Sequence, residues 1–133
     1  MVMDLMSTNA KGRVVRNKRL LLIGTCVESE HSEILENFKQ YSILSFCPEK
    51  EHINMAFYKL IAMMSVAKDL TVLTVDGSPH CVQLHYLADE VQRYSNRDFE
   101  VEHFVIINGK LEKISQNTVK LSRYLSKIEK LRN

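Results

Sequence analysis

Cys26, Cys47 and Cys81 each stand within a few residues of the carboxyl end of an apolar run that reads as a buried strand. Cys26 follows Leu20-Leu21-Leu22-Ile23-Gly24, Cys47 follows Ile43-Leu44-Ser45-Phe46, and Cys81 closes the stretch from Thr71 to His80. In open α/β sheets that rim is where ligands bind. Thiolates suit zinc and iron–sulfur clusters, and a histidine can replace one sulfur. Cys26, Cys47 and Cys81, with His85 one helical turn beyond Cys81, therefore form a candidate site for zinc or an iron–sulfur cluster in a redox or accessory role. Gly24 and Thr25 after the first strand, and Gly77 and Ser78 after the third, are the residues expected beside such a cofactor.

The segment richest in chemistry is Asp76-Gly77-Ser78-Pro79-His80-Cys81. Asp76 ends a strand, Gly77 permits a sharp turn, Ser78 can cap a helix and Pro79 suits its first position. A cysteine in that first turn ionises more readily, because the helix dipole and free N–H groups favour thiolate. A thiol-dependent enzyme would use Cys81 as nucleophile, His80 or His85 as base and Asp76 to orient that base. Cys47-Pro48 repeats the pattern at another helix start, with His52 a turn further on. Cysteine caps a helix poorly, so packing accounts for Cys47 equally well. A third class stays open: a ligand-binding or assembly module in which all three cysteines are structural.

Several chemistries are excluded. The phosphate loop G-x-x-x-x-G-K-[ST] and the dinucleotide fingerprint G-x-G-x-x-G are missing, and four glycines leave no other phosphate cradle. No C-x-x-C pair is present. His80-Cys81 resembles the opening of a cysteine-phosphatase loop, but Leu87 stands where its arginine is needed. Three unevenly spaced cysteines do not read as a secreted disulfide framework, so the thiols are expected to be reduced, metal-bound or catalytic. A net charge of +2 is too small to argue for nucleic acid. No apolar run is long enough to span a bilayer, and residues 1–10 lack a secretory apolar segment. A cytoplasmic location is expected.

The elements that must position these residues alternate. Residues 1–18 read as a flexible basic leader, and residues 19–133 as a single α/β domain. Strands are expected at 20–25, 41–46, 70–75 and 99–107, with helices at 29–41, 51–68, 79–95 and from Ser115 or Asn117 to about Leu131. Asn108-Gly109 signals a tight turn into a short antiparallel edge at 110–114. The alternation predicts a three-layer α/β sandwich around a four-stranded, mostly parallel sheet in the flavodoxin-like or Rossmann-like order 2-1-3-4. In that order the three cysteine loops are neighbours. The second helix is apolar on more than one face, which points to a homodimer. The final helix pairs an apolar stripe with a basic face suited to an acidic or redox protein partner. Nucleic acid is not an expected partner.

Overall fold

Leu20, Leu21, Leu22 and Ile23 are all fully buried. A run apolar on successive residues can be buried only in the middle of a sheet covered on both faces. The computed structural model describes residues 1–132 and places this run in β2 (Arg19–Gly24), near the centre of a six-stranded sheet. Its neighbours are β3 (Tyr41–Phe46) and β4 (Asp69–Val75), followed by β5 (Val101–Ile107), all parallel. The order β3-β2-β4-β5 is the 2-1-3-4 arrangement expected. Two more strands extend it: β6 (Lys110–Ile114), antiparallel to β5, and β1 (Val2–Asp4), parallel to β3. Asn108 and Gly109 both take positive φ, 52° and 74°, as a two-residue hairpin turn requires.

Helices cover both faces. Leu20, Leu22, Leu70 and Val72 face α2 (Ile53–Met64) and α3 (Val82–Tyr94). Leu21, Ile23 and Leu73 face α1 (Thr25–Glu30) and a 3-10 segment, Ser32–Phe38, through Val27, Ile34 and Phe38. The single helix expected at 29–41 is thus two pieces, the first beginning directly after β2. Glu28 lies in the first turn of α1, where an acid complements the helix dipole, and Glu30 is the last residue of the helix. The helix stops at His31.

At the amino ends of the strands, charges form a ladder across the sheet. Arg19 meets Asp69 at 3.0 Å and Glu102 at 3.7 Å, stacks on Tyr41, and Lys113 completes the row at 2.9 Å from Glu102. Arg19 is therefore a sheet residue and not part of a free basic arm.

The leader corrects the sequence reading. Beyond β1, Leu5 and Val15 are fully buried, and with Met6 and Ala10 they pack on the core that α2 shares. Lys59 donates to the Met6 carbonyl at 3.1 Å, and Asn17 N–H donates to the Val66 carbonyl at 2.8 Å. Part of the second apolar face of α2 is thus covered from within the chain, while Met55 and Tyr58 on the same helix stay exposed. The carbonyls of Met64, Ala67 and Lys68 at the end of α2 accept from Arg97. The C-terminal helix is also divided, into α4 (Gln116–Leu121), capped by Ser115, and α5 (Leu125–Lys130). Ser122 lies at the break, its hydroxyl bonded back to the Val119 carbonyl, a contact that competes with helix continuation.

Because Leu5 is core and not leader, Leu5→Ala should lower unfolding free energy by about 2–4 kcal/mol. Urea denaturation reads this directly. A change below a few tenths would mean that residues 1–18 fray.

Candidate functional site

Gly24 ends β2 opposite Phe46 of β3, which places Cys47 one residue beyond its own strand end. α1 follows Gly24 at once, so Cys26 sits in a helical first turn and not in a loop. From the other side comes Cys81, at the N-cap of α3. The Cys26 and Cys81 sulfurs lie 3.7 Å apart. A Cβ built on Gly24 would meet the Cys81 sulfur at 2.6 Å and the Cys26 sulfur at 3.7 Å. The glycine is there for the protein's own sulfur. No cofactor is needed to explain it.

The turn that delivers Cys81 is built as its sequence implies. Gly77 takes φ +89°, and the Ser78 hydroxyl accepts from the Cys81 N–H at 3.2 Å. The regular helix begins only at Val82, so Pro79, His80 and Cys81 form the approach. Cys81 is 6 % exposed, whereas Cys26 and Cys47 are partly exposed. Burial pushes the Cys26 thiol up to about 11, and the neighbouring Cys81 and Glu30 reinforce the shift. Cys26 is therefore a protonated thiol at neutral pH.

The other rim residues are less involved. Thr25, Asp76, Gly77 and His80 are exposed. His80 Nε2 lies 3.7 Å from Glu49, on the loop after Cys47. His31 lies 3.9 Å from Glu33, and His52 is exposed at the start of α2.

His85 is committed elsewhere. Its Nε2 lies 2.7 Å from the Thr74 hydroxyl, and its Nδ1 lies 2.9 Å from His103 Nδ1. His103 Nε2 is 3.0 Å from Asp89 Oδ1, which also accepts from Gln116. A carboxylate can only accept, which fixes the first bond, and with both rings neutral the rest of the chain follows from it. His103 Nε2–H donates to Asp89, His85 Nδ1–H to His103, and the Thr74 hydroxyl to His85. Burial drives His85 down to about 3, and the adjoining His103 adds to this against the pull of Asp89. For Asp89, burial pushes the carboxyl up, but hydrogen bonds from His103 and Gln116 outweigh it and hold it below its usual range. With both ring nitrogens engaged, His85 offers neither a base to Cys81 nor a lone pair to a metal.

The sequence reading missed His103, Asp89 and Gln116. The available signals were a histidine inside the apolar strand Val101–Ile107 and an acid four residues after His85 on one helix face.

Two sulfurs at 3.7 Å match the edge of a tetrahedral site, which spans about 3.8 Å for bonds of 2.3 Å. Among the described residues, however, no three His, Cys, Asp or Glu side chains are grouped as metal ligands. Structural zinc and iron–sulfur clusters take three or four protein ligands. The donor set brought together here does not fit either group held by one chain. Among the described residues, no helix is long and apolar enough to cross a membrane.

A family model described as a Rossmann-like domain matches residues 12–132. No curated protein and no solved structure matches the chain.

The neutral, buried His85 ties stability to pH. Below pH 6.5 the unfolded chain takes up a proton at this position and the folded chain does not, so stability is full above that pH and falls below it. At pH 4.5 the loss from His85 alone is about 2–3 kcal/mol. His85→Asn should be less stable at pH 7 but show a flatter fall in urea titrations between pH 7 and 4.5. Equal slopes would contradict the neutral assignment.

Proposed function

The chain belongs to the Rossmann-like domain family, and on that premise we propose that its carboxyl rim carries a thiol site whose working unit is the Cys26–Cys81 pair. The observation that carries this reading is the 3.7 Å sulfur contact, seated where only a glycine fits. The function supported best is dithiol–disulfide redox chemistry, in an electron-donating or accessory role. The two thiols give up two protons and two electrons to a low-molecular-weight disulfide, which leaves as two thiols, and one Cys26–Cys81 bond forms. The sulfurs must close from contact to about 2.05 Å. Because Cys26 is held protonated and Cys81 is buried, oxidation is slow near neutrality and faster at alkaline pH. Cys47, on the adjoining loop, stays outside the pair.

The tetrahedral-edge spacing favours a second reading, in which the pair supplies two ligands to a zinc ion or an iron–sulfur cluster. The remaining ligands would have to come from a second copy of the chain. His85 is not among them.

Metal analysis of anaerobically purified protein, with thiol counting before and after a glutathione disulfide challenge, separates the two. The redox reading expects no stoichiometric metal and three titratable thiols falling to one, with Cys26 and Cys81 linked in peptide mapping. Cys26→Ser or Cys81→Ser should each abolish the linkage, and Cys47→Ser should not. Stoichiometric metal, lost from each serine variant, supports the second reading instead. Three thiols unchanged by the challenge and no metal would defeat both.

A further inference from the structure

At the end of the sheet opposite the thiols, one buried hydroxyl lacks a partner. Thr71 is 1 % exposed, and among the described residues nothing bonds its Oγ1. Its neighbours Leu70 and Val72 face α2 and α3, so by strand alternation Thr71 projects from the other face, as Asp69 does. Glu102 of β5 is its register partner across the parallel pair. Phe38, the last residue of the 3-10 segment, packs edge-on against Phe104, two residues beyond Glu102. Below that contact the face opens into a cavity of about 290 Å³, with Thr71 at its floor and Arg19, Asp69, Glu100 and Glu102 around it. A buried oxygen that has given up water without a replacement is costly, and this one lines a cavity that a donor can enter.

The walls define the donor. Arg19 engages Asp69 through Nε and lies 3.7 Å from one Glu102 oxygen, while Lys113 lies 2.9 Å from the other. Among the described residues no ion pair engages the Glu100 side chain, which is exposed at the mouth. Three carboxylates against two cations leave one negative charge in excess. Glu100, Glu102 and the Thr71 hydroxyl can all accept, and three acceptors around one cavity match the three N–H donors of a primary ammonium group. A metal ion fits less well, since no three His, Cys, Asp or Glu side chains are grouped as ligands among the described residues.

We propose that this cavity binds a primary alkylammonium cation, whose N–H groups donate to Thr71 Oγ1, Glu100 and Glu102. The cavity is at the lower end of ligand-pocket sizes, so it takes a short alkyl chain of few heavy atoms. A free amine and the lysine side chain of a partner share this head group. Neither involves the carboxyl rim, so the site works whether or not the thiols do.

The test is an amide-shift NMR titration of the full chain with n-butylamine, with Nα-acetyl-lysinamide, and with tetramethylammonium, which has the charge but no N–H. The first two should give saturable shifts centred on Thr71, Glu100 and Glu102, and tetramethylammonium should give none. Tighter binding of butylamine assigns a free amine, and tighter binding of the lysine amide assigns a partner's lysine; either supports the site. Thr71→Val and Glu100→Gln should each raise the butylamine Kd about tenfold, the loss of one good hydrogen bond. Glu100 is exposed, so folding is not at stake in the second variant. Thr71→Val should be no less stable to urea than the wild type, because the hydroxyl it removes is unpaired. A destabilised Thr71→Val would mean that the hydroxyl has a partner within the chain and would overturn the proposal. So would shifts that fail to saturate, that tetramethylammonium reproduces, or that survive Thr71→Val unchanged.

Discussion

Gly24 ends β2 without a side chain, and a Cβ there would lie 2.6 Å from the Cys81 sulfur. That vacancy decides how the carboxyl rim is assembled. Parallel pairing of β2 with both β3 and β4 brings three strand ends side by side, so the segments leaving them compete for the same space. With glycine at the central end, the Cys81 side chain settles over the strand and meets Cys26 from the first turn of α1. An alanine there would displace a short, buried side chain that has little freedom to yield. Overpacking of that kind costs about 1–3 kcal/mol and would part the sulfurs.

The approach of Cys81 is fixed from behind as well. One turn into α3, His85 is tied to Thr74 of β4, and through His103 of β5 to Asp89, again on α3. The helix is thereby bonded to two strands by one chain of hydrogen bonds. Each nitrogen in that chain has a partner, which matters because an unsatisfied buried polar group costs about 1–3 kcal/mol. Gln116 extends the chain to α4. What looked from spacing like a base beside a nucleophile is instead the anchor of the helix that carries the sulfur.

The parallel core was legible because its runs are continuous. Leu20–Ile23 and Leu70–Val75 cannot be satisfied at an edge, and short alternating elements leave few topologies. The Asn108-Gly109 hairpin was legible for a different reason, since its two positive φ values suit those residues. The leader was not legible. Leu5 and Val15 are isolated apolar residues in a polar stretch, and only the second face of α2 gives them a place. The pairing of Cys26 with Cys81, rather than all three sulfurs, turned on where α1 begins, a boundary set by Gly24 and not by hydrophobic period. Ser122 broke the last helix through a side-chain bond that no apolar pattern reveals.

The proposed reversible redox couple is two sulfurs held in contact at the carboxyl rim. It is tested most directly by equilibrating the protein across a series of glutathione buffers, trapping the thiols with acid and alkylating agent, and reading the fraction linked. A pair that must still move to bond has not been set for a deeply stable disulfide. Half-oxidation should therefore fall at about −120 to −270 mV, the span of working dithiol proteins, with Cys47 alkylated throughout. A chain that never forms the Cys26–Cys81 bond at the most oxidising poise would contradict the account.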